Sequence, residues 1–449
     1  MDAMNKTTSD KLKYVIFLVF LLSLFIPFLQ KQFDLIKEKP LNGFFDVATF
    51  PEFKKETWKT GMFQQNFEKA INENLGFHDW FVKLQCQINY SLYNISKFQT
   101  VIIGKNGYLY DKGYIDGYTG RDFIGKERIE LQIEKARVVK NELKKKNIEV
   151  LFAFAPGKAS YFPEFIPDKL NEFSSKDSNN YQCYINALKK TDLNFIDLRN
   201  YFISLKDKTK FPIYSQIGVH WGQYACYLAI DTIAKKIEQI KNIRLTNFGI
   251  NKIKLGDTLI RTDKDEGSLL NVFSELPFYK MAYLNLTYSS DSNSVKPNLL
   301  AISDSYFSNI VATNIVDSVF SGWSYWNYNN GESSDKNDKV FRLKKEIEKR
   351  DVVLLLATDA SLAAFPFGFI DQAYELYSPK NKAYYILKQK EYKLFILETM
   401  KNINTNKVWK KQLIDNAKQK GISQTDEFIN AAIWCYNEKE RILKEKINN

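Results

Sequence analysis

Two histidines, His78 and His220, are all that this 449-residue chain offers. Imidazole chemistry therefore rests on one of two side chains, and a His-rich metal site is excluded. His220 stands in Gly218-Val-His-Trp-Gly222, just ahead of a helical pattern, where a base could reach the end of a neighbouring strand. His78, in Gly76-Phe-His-Asp-Trp80, reads as structural. The second reactive segment is Leu299-Leu-Ala-Ile-Ser-Asp-Ser-Tyr-Phe307, an apolar run leading into Ser303-Asp304-Ser305. A serine at the carboxyl end of a parallel strand lies where α/β sheets build their sites. Amides of a following helix could stabilise an oxyanion there. The plainer reading is that Ser305 caps a helix, with Asp304 or Ser303 sharing the task. A serine activated by an adjacent imidazole performs acyl transfer without metal or cofactor, and neither is expected. Cys86, Cys183, Cys226 and Cys435 are scattered and form no C-x-x-C, so no disulfide is expected.

These residues need elements to hold them. Ile148–Ala155, Leu193–Leu198, Leu299–Ser303 and Val352–Ala357 are short apolar runs that read as strands buried on both faces. Amphipathic helices separate them, at Glu127–Asn147 and Gly222–Asn242, with part of another at Leu343–Lys349. The pattern predicts an α/β sandwich with a mostly parallel sheet. Asn106-Gly107 between two β-prone runs predicts a hairpin with a type I′ turn. Ser289–Lys296 and Asn327–Asp338 read as polar loops, and Arg261–Asp265 as a loop with structural ion pairs. Tyr14–Leu29 carries no charge, and no small-x-small cleavage site follows it. It reads as an uncleaved signal anchor. Lys6, Lys11 and Lys13 before it balance Lys31, Lys37 and Lys39 after it, so flanking charge does not set the orientation. The composition, 45% hydrophobic and 26% charged, excludes disorder and fibrous classes. The net charge is +12, and the last 71 residues hold 15 Lys and Arg against 8 Asp and Glu. That tail reads as helices with solvated basic faces, or as a surface drawn to an acidic polymer or anionic lipid. No nucleic-acid module is present in the pattern.

Four stretches in order resemble the SGNH-hydrolase-like family of the alginate O-acetylation proteins AlgJ and AlgX. The first is Asn74-Leu-Gly-Phe-His-Asp-Trp80 with Ile103-Gly-Lys-Asn-Gly-Tyr-Leu-Tyr110, and the second is Ala155-Pro-Gly-Lys-Ala-Ser-Tyr-Phe-Pro-Glu164. The other two are Gly218-Val-His-Trp221 and Ile302-Ser-Asp-Ser-Tyr306. The resemblance covers about residues 50–378. It implies an SGNH-like (flavodoxin-like) fold and an extracytoplasmic O-acetyltransferase acting on a polysaccharide. Acetyl would come from a membrane-bound O-acyltransferase. By the same resemblance Ser305 matches the nucleophile and His220 the base. An Asp usually stands two residues before that His, and here the position is Gly218. Either Asp304 or Asp359 replaces it, or a Ser–His dyad operates, or the site is inert. Lys158 and Tyr161, past the end of the Ile148–Ala155 strand, could contact acetyl or sugar hydroxyls, or else be a solvated lysine and a packing tyrosine. Trp221 and Tyr306 could stack on sugar faces or pack in the core.

The expected organisation is a cytoplasmic N-terminus (1–13), a transmembrane anchor (14–29) and a helical lead-in (44–100). An acetyltransferase domain (101–378) and a basic helical appendage (379–449) follow. The family's location places the globular part outside the inner (cytoplasmic) membrane, in the periplasm. Two other functions use the same residues: an O-acetyl esterase, and a silent polysaccharide-binding or scaffold subunit of an export complex.

Overall fold

The structure is a computed structural model that describes residues 2–43, 47–171, 179–330, 343–378 and 382–448. The chain forms two compact units. The first comprises Met1–Lys112, Ser215–Val219 and Leu259–Tyr279, and the second the rest of the chain.

The first unit is mainly helical. It contains α1 (Asp2–Ser23), α2 (Ile26–Phe33), α3 (Lys55–Lys59), α4 (Met62–Asn74) and α5 (His78–Tyr93). Leu12–Phe33, with mean hydropathy 2.4 and exposed along most of its length, is apolar and long enough to cross a membrane. At 1.5 Å per residue these 22 residues span about 33 Å, against about 30 Å of hydrocarbon. A small hairpin follows, β1 (Val101–Ile103) pairing antiparallel with β2 (Leu109–Asp111). Asn106 (φ 55°) and Gly107 (φ 74°) both adopt the left-handed conformation expected of them. They do so inside a longer connection, because the last paired residues are Ile103 and Leu109 and a 3₁₀ turn fills the gap.

The second unit is an α/β sandwich built on one parallel sheet. Its sheet runs β4 (Asn194–Ile196), β3 (Glu149–Ala155), β9 (Val352–Thr358), β7 (Asn298–Ser303), β8 (Gly322–Asn327), all parallel. Side chains alternate across a strand, and both faces are apolar. Leu151, Ala301, Leu354 and Leu356 pack with Ile230 and Ile233 of the helix Gln223–Lys241. On the other face, Phe152, Ile302, Val353 and Leu355 pack with Ile133 and Val139 of Lys126–Lys144, and with Ile370 of Phe369–Tyr377. The continuous apolar runs in the sequence come from this double burial.

Two parts of this unit escape that signature. β8 is only half-buried along most of its length. The antiparallel ribbon β5 (Asn247–Leu255) with β6 (Ala282–Ser289) is largely exposed. Of the expected polar loops, Ser289 ends β6, Asn327 ends β8, and residues 331–338 lie outside the described residues. The tail forms three helices, Lys382–Thr405, Lys407–Lys420 and Gln424–Asn448. Ile403, Leu413 and Phe428 make a small core among them. The expected boundary at 379 lies outside the described residues.

Candidate active site

Because the strands are parallel, the carboxyl ends of β3, β7, β8 and β9 gather at one edge of the sheet. Ser305 follows β7 and begins the short helix Tyr306–Val311. Its side chain makes no capping bond. Capping falls to Asp304, whose Oδ1 accepts from the Tyr306 N–H at 3.1 Å. The Ser305 hydroxyl is thereby released for another partner, and it lies 2.7 Å from His220 Nε2.

His220 reaches that position through its neighbour. The Trp221 indole N–H donates to the Tyr306 carbonyl at 3.1 Å, and Asn309 Nδ2 donates to the Trp221 carbonyl at 3.1 Å. These two bonds fasten the residue after the imidazole to the residues after the serine. The His220 and Trp221 rings lie 5.1 and 4.9 Å from the Tyr306 ring. His220 and Ser305 themselves stay partly exposed.

Beneath the pair is a buried tyrosine cluster. Tyr306 is hydrogen-bonded to both Tyr114 and Tyr214, and the Tyr214 hydroxyl donates to the Pro156 carbonyl. Burial pushes all three phenols well above their ordinary pKa, so they stay neutral. Trp221 and Tyr306 are thus interior supports of the pair and offer no face to a sugar. Lys158 and Tyr161 are buried too, at 0% and 4% exposure, so neither is a solvated or sugar-facing side chain.

The two acids considered for orienting the ring spend their carboxylates elsewhere. Asp304 Oδ2 accepts from the N–H and the hydroxyl of Thr358, both at 2.8 Å, which ties β7 to β9. Asp359 accepts from the Gly157 N–H and the Ser160 hydroxyl, and pairs with Arg199 Nε at 3.3 Å. Burial raises its pKa, with Arg199 opposing.

Gly218 is packed from within the first unit. A Cβ there would lie 2.4 Å from the Thr262 carbonyl oxygen and 2.7 Å from the Asp263 carbonyl carbon. The position two before His220 has no room for a side chain. Arg261–Lys264 forms a 3₁₀ turn rather than an open loop, and Asp265 Oδ1 accepts from the Val219 N–H at 2.9 Å.

One residue of the site went unread in the sequence. Tyr328, just past β8, has its hydroxyl beside Ser305 and Ser361. Burial, then the nearby Asp304, raises its pKa, so it can donate at neutral pH. The Ser305 N–H and the Tyr328 hydroxyl together mark a place for a developing oxyanion. Among the described residues no group of three or more His, Cys, Asp or Glu is placed to hold a metal ion.

With this geometry established, comparison with known proteins gives a family. The O-acetyltransferase domain of Pseudomonas putida AlgJ is 13% identical with a TM-score of 0.39, over 61% of this chain and 98% of that one. Bacillus cereus PatB1 is 16% identical with a TM-score of 0.35, over 55% and 93%. Pseudomonas aeruginosa AlgX is 12% identical with a TM-score of 0.40, over 61% and 67%. No curated protein sequence matches the chain. The sequence model of one family does match, over residues 101–330, just over half of the chain. The chain belongs to that family, described as the SGNH hydrolase-like domain of acetyltransferase AlgX.

Proposed function

We propose that this protein is a membrane-anchored, extracytoplasmic O-acetyltransferase that moves acetyl groups onto hydroxyls of a cell-surface or secreted polysaccharide. The observation that carries the reading is the 2.7 Å contact between His220 Nε2 and Ser305 Oγ at the strand ends. In the first half-reaction Nε2 takes the hydroxyl proton as Oγ attacks the carbonyl carbon of an acetyl ester. The carbonyl electron pair moves onto oxygen, where the Ser305 N–H and the Tyr328 hydroxyl receive it. The tetrahedral species then collapses, and the leaving alkoxide departs with the proton from His220. In the second half, a sugar hydroxyl gives its proton to Nε2 and attacks the acetyl-serine. Ser305 leaves with that proton, and the product is the sugar acetate.

Position 218 carries no carboxylate, so we assign Ser305 as nucleophile and His220 as base, and any acid that orients the ring comes from elsewhere in the chain. The Leu12–Phe33 helix is assigned as the anchor, with a membrane-bound O-acyltransferase as acetyl supplier. The test is intact-mass spectrometry after incubation with an activated acetyl ester. An adduct of about 42 Da, the mass of an acyl-enzyme acetyl, is expected in the wild type. It should be absent in Ser305→Ala and strongly reduced in His220→Ala. Persistence of the adduct in Ser305→Ala overturns the assignment. Adding an acceptor glycan separates transferase from esterase, since only a transferase returns acetylated glycan. Glycan binding without any adduct is the signature of a silent scaffold.

A further inference from the structure

The first unit carries a feature that acyl transfer does not use. On α5, Trp80, Leu84, Ile88 and Leu92 recur every fourth residue and so share one face. They are 46%, 37%, 44% and 70% exposed, and Phe81 beside them is 49% exposed. Phe67 and Ile71 on α4, with Leu75 at its C-terminal cap, are a second set of exposed apolar residues. Cys86 is the one residue of α5 that is buried, and Ala70 the one residue of α4. Soluble surfaces rarely expose continuous apolar stripes of this extent.

The turn between these helices is fastened to the end of the apolar span. A Cβ at Gly76 would lie 2.2 Å from the Pro27 carbonyl oxygen and 2.7 Å from the Lys31 nitrogen. The Phe77 N–H donates to Glu38 Oε1 at 2.9 Å. The Gln30 side chain holds both the N–H and the carbonyl of Ile36. Lys83 Nζ, one turn into α5, donates to the carbonyls of Lys39 and Pro40. Pro27 lies six residues before the end of the span at Phe33, a depth of roughly 9 Å along a helix. A turn packed on Pro27–Lys31 therefore sits in the boundary layer of any bilayer that Leu12–Phe33 crosses.

We infer that α4 and α5 lie in that boundary layer, with their exposed apolar residues in phospholipid acyl chains on the side where the span ends. The inference rests on the anchoring reading above. Aliphatic side chains select lipid over sugar, because Leu84, Ile88 and Leu92 offer no hydrogen bond to a hydroxyl. The groove beside them, about 970 Å³, is lined by Trp80, Phe81 and Phe273 together with Lys37, Lys39 and Lys83. Aromatic rings with lysines around them match a headgroup region in which phosphates lie above hydrocarbon.

The test uses the full-length protein in vesicles of phosphatidylethanolamine and phosphatidylglycerol doped with a phospholipid carrying a diazirine in its acyl chain. After photolysis, lipid adducts are mapped by peptide mass spectrometry. Adducts are expected on residues 12–33 and also on residues 80–92. The double variant Leu84→Asp/Ile88→Asp should retain the first set and lose the second about tenfold, given what burial of two such side chains is worth. Retained acylation of Ser305 shows that the variant is folded. Adducts confined to 12–33 overturn the inference and leave anchoring intact, whereas no adducts at all overturn the anchoring. Residues 80–92 cross-linked to a second copy or another protein, without lipid adducts, also overturn it.

Discussion

β9 and α5 are built from similar apolar residues and end differently. Every residue of β9, Val352–Thr358, is buried, whereas one residue of α5 is. The sheet unit satisfies its hydrophobic surface internally on two faces. The helical unit leaves Phe67, Ile71, Leu84, Ile88 and Leu92 exposed. Apolar content therefore does not measure stability by itself. In the sheet it is already used to hold the strand ends in register, and in α5 it remains available to something outside the unit.

The largest expected effect lies where the sheet unit positions chemistry. His220→Ala should slow acetylation of Ser305 by roughly 10²–10⁴-fold, the range for a general base. Stopped-flow release of a chromogenic alcohol measures it. Tyr328→Phe should slow the same step by about 10², the value of one oxyanion donor, with little change in KM. An unchanged rate would show that the Ser305 N–H acts without it.

The next effect compares the two units directly. Leu354→Ala leaves a cavity between fully buried neighbours and should cost about 2–5 kcal/mol in a denaturant titration. Leu92→Ala, at 70% exposure, should stay within about 0.5 kcal/mol. Similar losses at both sites would erase the distinction between satisfied and unsatisfied apolar surface.

The smallest effect is on pH dependence. Burial is the main cause that raises Asp122 from 3.8 to about 6. A carboxyl with a raised folded pKa stabilises the protein below its unfolded value, and that contribution is lost as pH rises to the folded one. Stability should therefore fall between about pH 4 and 6, and Asp122→Asn should flatten that part of the Tm profile. A steeper profile in the variant would reverse the sign of the argument.

These contrasts also explain what was legible in the residues. β3, β7 and β9 were readable because burial on both faces leaves an uninterrupted apolar run. β5 and β6 were not, since a mostly exposed ribbon has no side on which composition must alternate. His220 stood out as one of two histidines, at an expected helix start, and Ser305 by its place at an expected strand end. Their supports were harder to see. Trp221 contributes an indole N–H whose partner lies 85 residues away, and no local pattern encodes such a bond. Tyr328 follows β8 with φ 49°, a left-handed conformation unusual for tyrosine. Its hydroxyl meets the end of β7 only because the two strands are parallel neighbours.

Gly218 has a consequence for how this site can change. A glycine codon becomes an aspartate codon by one base substitution, so the carboxylate usual at this position looks easily gained. The volume it would need is already filled by the backbone of Thr262 and Asp263. Gly218→Asp should therefore destabilise the fold by about 1–3 kcal/mol, as overpacking does, without speeding acylation. A carboxylate at position 218 is thus one base change away in the genetic code and a rebuilt loop away in space.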